Sequence, residues 1–161
     1  MIRSATRSLL ALALVVNASA QTSVKHIQTA TAAIATAVWA GDTLYVSGQL
    51  PNAIQPADAS KGISAVYGDT KAQSLSALQK IDAILKEQGL GMKDVVMMHV
   101  YLAGDPAKGN TLDFQGMMAA YTQFFGTTEQ PNKPARSAMQ VAALAAPGAL
   151  VEIEVIAVKS K

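Results

Sequence analysis

An α+β fold, one β-sheet with two helices laid on a single face, is the architecture this sequence predicts. Three observations carry it. "GDTLYVSGQLP" and "ALVEIEVIAV" alternate in the two-residue period of strands. "DTKAQSLSALQKIDAILKEQGLG" and "TLDFQGMMAAYTQFFG" repeat apolar residues at three- and four-residue steps, the period of helices. The two kinds of segment interleave in the order β-β-α-β-α-β-β, which places strands and helices in two packed layers.

Taken in order, "IQTATAAIATAVWA", rich in β-branched residues, reads as the hairpin partner of the strand after it, with Gly41-Asp42 as the turn. "GDTLYVSGQLP" is then a strand through Leu44 and Val46, closed by "SG" and Pro51. "NAIQPADASKGISAVYG" is dense in turn formers and reads as a loop. The first helix has Asp69 or Thr70 as its cap, a stripe of Leu75, Leu78, Ile81 and Leu85, and Gly89 as its stop. Asp94 to Gly104, "DVVMMHVYLAG", is a strongly apolar strand. In the second helix Thr111 is the expected cap, Phe114, Met117, Tyr121 and Phe124 the buried stripe, and Gly126 the stop. "RSAMQVAAL" and "ALVEIEVIAV" complete the sheet, separated by the turn "AAPG".

The last strand is largely apolar on both faces. Leu150, Glu152, Glu154, Ile156 and Val158 point one way; Val151, Ile153, Val155 and Ala157 point the other. Two helices cover one face only, so the apolar character of the second predicts that other copies of the chain cover it.

Residues 1–20 read as a secretory signal. Arg3 and Arg7 supply its positive start, "SLLALALVV" its short apolar core and "ASA" its small-residue cleavage site. The expected product starts near Gln21, is periplasmic or secreted, and forms one domain over residues 21–161. No stretch is long enough to anchor the chain across a bilayer. Of 13 Lys and Arg, Arg3 and Arg7 lie in the signal, and the remainder equals the 11 Asp and Glu. A neutral product is a poor partner for nucleic acid, whose non-specific grip depends on clustered Lys and Arg. With no cysteine there is no disulfide, thiolate metal site or thiol nucleophile.

The inventory of reactive groups is short. His26 and His99 have no metal-ligand spacing, so no metal is expected. Ser47 and Ser137 lie outside any nucleophile-elbow pattern. Ser47 and Gly48 instead form a short turn whose backbone N–H groups can face a ligand. Arg136 is the single arginine after the signal, in a chain that otherwise uses lysine for positive charge. Its planar fork suits a carboxylate held through two parallel hydrogen bonds, and a surface salt bridge is the plainer alternative. Glu152 and Glu154 share a strand face with apolar neighbours. Either each pairs with a lysine or an arginine across an interface, or one of them orients a water for acid/base work.

"GDTLYVSGQLP", "AYTQFFG", "PARSAMQVAAL" and "GALVEIEVIAV" together resemble the RidA family, also called YjgF, over roughly Trp39 to Val158. The resemblance implies a chorismate-mutase-like domain that assembles as a homotrimer, its sheets forming a central barrel with the helices outside. It implies hydrolysis of enamine/imine intermediates to 2-oxo acids and ammonia in clefts between subunits, without a cofactor. It assigns Arg136 to the substrate carboxylate, Glu152 to the attacking water, and Ser47 and Gly48 to substrate binding. The implied partners are a small carboxylate-bearing substrate and further copies of the chain, with neither nucleic acid nor membrane. The chain departs from the family pattern at Ile34, Met118 and Ala138, where a tyrosine, an asparagine and a cysteine are usual. A non-catalytic trimer that binds small carboxylates or a protein is the alternative these departures suggest.

Overall fold

The computed structural model describes residues 22–160; the signal read in residues 1–20 lies outside them. Six strands form one mixed sheet in the order β1-β2-β3-β6-β4-β5. They are β1 (Val24–Ile27), β2 (Ala37–Ala40), β3 (Thr43–Gln49), β4 (Val95–Ala103), β5 (Ala135–Val141) and β6 (Val151–Val158). The helices are α1 (Thr70–Glu87) and α2 (Phe114–Tyr121). β3 and β4 each pair antiparallel with β6. They therefore run parallel to one another with β6 between them, a split β-α-β unit. The crossover helix α1 must span that gap, and it packs against β6.

Of the expected strand before Gly41 only the last four residues form one, β2, and β1 lies ahead of that segment, sharing only Ile27 with it. β1 and β2 pair antiparallel, with residues 28–36 looping between them. The Thr- and Ala-rich segment there alternates too weakly to bury a face, and only Ala37–Ala40 reaches the hairpin with β3. Gly41 opens that two-residue turn at φ +61, a conformation that suits glycine.

Asp69 caps α1, its carboxylate accepting from Ala72 N–H at 2.8 Å, and the chain leaves the helix through Gly89 at φ +74. Leu78, Ile81 and Leu85 are fully buried under the sheet, and Leu75 is half-buried against them. Each fully buried side chain contributes about 1.5–3 kcal/mol of transfer free energy. α2 starts later than expected: Asp113, not Thr111, is the cap, its carboxylate accepting from Gly116 N–H at 3.0 Å. Asp113 lies immediately ahead of Phe114, so its carboxylate reaches the free N–H groups of the first turn. The buried side chains here are Met117, Tyr121 and Phe125. α2 ends at Tyr121, so the helical spacing lapses before Phe124: Phe125 turns inward and Phe124 is half-buried, while Phe114 is 40 % exposed.

Along β6, Val151, Ile153, Val155 and Ala157 are buried against the helices, and Glu152, Glu154, Ile156 and Val158 are half-buried on the open face. Tyr45 and Met139 add exposed apolar surface to that face, at 48 % and 43 %. Among the described residues no helix is long and apolar enough to cross a membrane.

Candidate functional site

Arg136 sits near the start of the edge strand β5, paired in register with Met98, which is buried under the helices. Its side chain thus leaves the sheet on the helix side and meets α2. The guanidinium carbon lies 4.4 Å from the ring centroid of Tyr121 and 5.7 Å from that of Phe114. Nη1 donates to Met118 Sδ at 3.2 Å and reaches Met117 Sδ at 3.8 Å. Thioether sulfur is a weak acceptor. Among the described residues no carboxylate is within ion-pair distance of Arg136. The guanidinium therefore has its stem fixed by packing and its donors poorly occupied. It opens into a groove of about 510 Å³ lined by Met118, Tyr121, Phe125, Lys133 and Pro134.

Burial pushes the Tyr121 phenol above its ordinary value, and the neighbouring Arg136 charge works against that rise. The two side chains are thus electrostatically coupled as well as stacked. Tyr121 is in turn held by Phe125, whose ring is stacked on it at 4.9 Å.

Glu152 is on the opposite face of the sheet. It pairs with Tyr101 of β4, two strands in from the β5 edge. Its carboxylate lies over Gly48, in the space a Cβ there would fill. The backbone can pass this close because β3 carries a bulge. Val46 pairs with Val155 and Gln49 with Ile153, so β3 spends one residue more than β6 across this interval. Ser47, within the bulge, donates its hydroxyl to Ala35 O at 2.7 Å, and its N–H donates to Thr36 O at 3.1 Å. Ser47 is therefore an anchor for the loop that carries Ile34, and its hydroxyl is already committed. Gln49 folds back to donate to Ser47 O at 2.8 Å.

The expected site residues accordingly fall into two groups. Ser47, Gly48 and Glu152 come together on and beside the open face; Arg136 stands apart on the helix side. Of the departures from the family pattern, Met118 is the residue in contact with Arg136, and Ala138 follows on the same face of β5. Ile34 is 69 % exposed. Tyr121 was expected only as core; its role beside Arg136 follows from α2 lying along the β5 edge, a tertiary fact with no local signal.

The open face holds one further polar cluster. Glu154 Oε1 accepts from the Tyr101 hydroxyl at 3.1 Å and is 2.8 Å from His99 Nδ1. Desolvation, then the hydrogen bond to Glu154, hold the Tyr101 phenol above its ordinary value. Glu154 is thus hydrogen-bonded within one chain by a phenol and an imidazole, not paired with a lysine or an arginine. Glu152 has no hydrogen-bond partner among the described residues, the disposition of a group free to hold water. Nor do His, Asp and Glu cluster there in any group of three that could hold a metal ion.

The family model described as Endoribonuclease L-PSP matches residues 24–159. A RutC family protein of Pyrococcus horikoshii is 37 % identical over 123 residues, covering 76 % of this chain and 84 % of that protein. TdcF of Escherichia coli, provisionally named a reactive intermediate deaminase, is 32 % identical over 120 residues, covering 74 % and 81 %. The crystal structure of E. coli TdcF with bound serine superposes with a TM-score of 0.64 at 30 % identity, covering 84 % of this chain and 99 % of that one. The sheet order, the two helices and these matches lead to one conclusion: the chain belongs to the RidA family, also called YjgF or RutC.

Proposed function

We propose that the protein hydrolyses reactive enamine and imine intermediates, the 2-imino acids, to 2-oxo acids and ammonia in clefts between the subunits of a homotrimer. The observation that carries this reading is the Arg136 guanidinium, fixed by aromatic packing and facing a groove with no acidic partner among the described residues. An unpaired half-buried cation is costly unless an anion completes it. The separation of Arg136 from Glu152 and Gly48 within one chain favours a site completed by a second copy, and the half-buried apolar face of β6 supplies the surface for that copy. The deaminase name of TdcF and the serine bound to it, an amino acid with the carboxylate an imino acid shares, support the same class of ligand.

The chemistry asks little of the protein. Arg136 holds the substrate carboxylate through two N–H donors, displacing the thioether contacts. Glu152 holds a water and takes its proton as the oxygen adds to the imine carbon, and that proton passes to the nitrogen. The resulting amino alcohol expels ammonia as its hydroxyl proton is withdrawn, leaving the 2-oxo acid. Fixing the carboxylate and the water in one geometry supplies most of the gain. Gly48, without a side chain, leaves Glu152 room beside the reacting carbon, and Ser47 keeps the bulge in shape.

The test is ammonia release, or semicarbazone formation, from imino acids generated in place by an amino-acid oxidase. Wild type is expected to speed the loss of the imine, and Arg136→Ala to lose about 100-fold in kcat/KM, the equivalent of ~3 kcal/mol. Equal rates for the two proteins contradict the proposal. A second reading, a non-catalytic binder of small carboxylates or of a protein, is favoured by Met118 standing against the guanidinium. It predicts a rise in melting temperature with 2-oxo acids, dependent on Arg136, and no turnover of any imine. Export to the periplasm belongs to the same proposal. Recovery of a periplasmic protein beginning near Gln21 tests it.

A further inference from the structure

The groove beside Arg136 is lined by two cations and by no acid. Arg136 and Lys133 both reach it, with the Tyr121 phenol between the same walls, and neither Asp nor Glu lines it. The acids nearest along the chain are placed elsewhere. Asp113 caps α2, and Glu129 lines a different groove with Lys93 and Lys159. Among the described residues Lys133 has no carboxylate within ion-pair distance, and Arg136 has only thioether acceptors. The Tyr121 hydroxyl is without a partner there too, and the Thr122 hydroxyl donates to Met118 O at 3.1 Å. The lining thus presents donors at more than one point and supplies no anion to meet them.

An exposed lysine is ordinarily a solvated, mobile charge that contributes little. Lys133 differs because its stem is seated. It lies over Gly126, in the space a Cβ there would fill, and Gly126 itself holds φ +73, where any other residue is strained. The bend after α2 and the residue before Pro134 are therefore packed on one another, which keeps the ammonium at the wall of the groove. Two like charges facing one groove repel, and a ligand with one carboxylate on Arg136 leaves the second charge unmatched. A ligand with two carboxylates satisfies both through charge-assisted hydrogen bonds.

We propose that the groove is a two-point anion site. Arg136 takes the carboxylate beside the imine carbon, and Lys133 takes a second carboxylate at the far end of the ligand. Dicarboxylic 2-imino and 2-oxo acids are thereby preferred over monocarboxylic ones of the same length. This rests on Arg136 anchoring the substrate carboxylate, as the proposed function has it. Lys133 touches no reacting atom and acts on specificity alone. The preference is that of a partly exposed ion pair, about fivefold in affinity, and it falls with salt.

The experiment ranks ligands in two independent ways. Titrations followed by melting temperature compare 2-oxoglutarate with 2-oxopentanoate, which has the same carbon chain and lacks the second carboxylate. Turnover of the imino acids made by oxidases from glutamate and from norvaline ranks catalysis. The expected result is 2-oxoglutarate bound about fivefold tighter at low salt, with the same order in turnover. Near 1 M salt, where the Debye length is about 3 Å, the ratio should fall to about twofold or less. Lys133→Met keeps a stem over Gly126 without the charge and is expected to bring the ratio to about one, whereas Lys133→Arg keeps the preference. Equal binding of the two acids by wild type, or a preference that survives Lys133→Met, overturns the two-point site while leaving imine hydrolysis standing. Equal binding together with loss of the assembled mass in Lys133→Met overturns it by assigning Lys133 to a subunit contact. No turnover of either imine, with 2-oxoglutarate still favoured through Lys133, sinks the hydrolytic reading and upholds the two-point site.

Discussion

Arg136 and Tyr121 form a stacked cation–aromatic pair, 4.4 Å from guanidinium carbon to ring centroid, and the charge of the one opposes the rise that burial imposes on the phenol of the other. The pair joins the edge strand β5 to α2 and fixes where the guanidinium points. Its coupling can be read directly. Arg136→Gln removes the opposing charge, so the Tyr121 phenol, already raised by burial, is expected to titrate higher still. Tyrosinate absorbance followed through alkaline pH, with Tyr121→Phe identifying the band, checks this. A phenol that titrates unchanged in Arg136→Gln would mean the stacking is incidental.

Gly48 is the position where the backbone comes closest to Glu152, and a methyl group there meets the carboxylate itself. Gly48→Ala is expected to displace Glu152 and lower kcat by tenfold or more, because about 1.4 kcal/mol of lost positioning is enough. Stability falls by about 1–3 kcal/mol from overpacking. The informative comparison is turnover against carboxylate binding. Binding through Arg136 on the other face of the sheet should survive in the same protein.

Tyr101 gives the chain an alkaline sensitivity with a definite sign. Its folded-state pKa is raised above the ordinary value of a phenol, chiefly by desolvation and next by its hydrogen bond to Glu154. The stability this contributes is complete below about pH 10 and is lost as pH rises through the higher folded value. Tyr101→Phe should flatten the decline of melting temperature above pH 10. Tyr121, raised by burial, leaves a residual slope in that variant.

The elements with a single dominant signal were readable from residues alone. α1 has a capping aspartate, a clean stripe and a stop glycine, and β6 alternates without interruption. The errors fall where tertiary packing decides. The segment before Gly41 has β-branched residues but no burial pattern, so only four residues of it pair with β3. Phe124 and Phe125 are adjacent, and which one turns inward depends on where α2 unwinds, at Tyr121. In the site, Arg136 was marked by its isolation among lysines and Glu152 by its motif. That they lie on opposite sheet faces follows from β5 pairing parallel with β4, a long-range choice with no local signature. The same pairing brings Met118 and Tyr121 to Arg136, which spacing along the chain could not show.

Subunit complementation tests the central claim most directly. In the proposed site the two halves belong to different subunits, so Arg136→Ala and Glu152→Gln each remove one half. Each variant alone should be inactive toward imino acids. Unfolded together, mixed in equal amounts and refolded, they should recover about a quarter of wild-type turnover, since random assembly reunites an intact arginine with an intact glutamate at one cleft in four. Turnover that stays at the level of the separate variants, in mixtures shown to contain mixed oligomers, would contradict a site built between subunits.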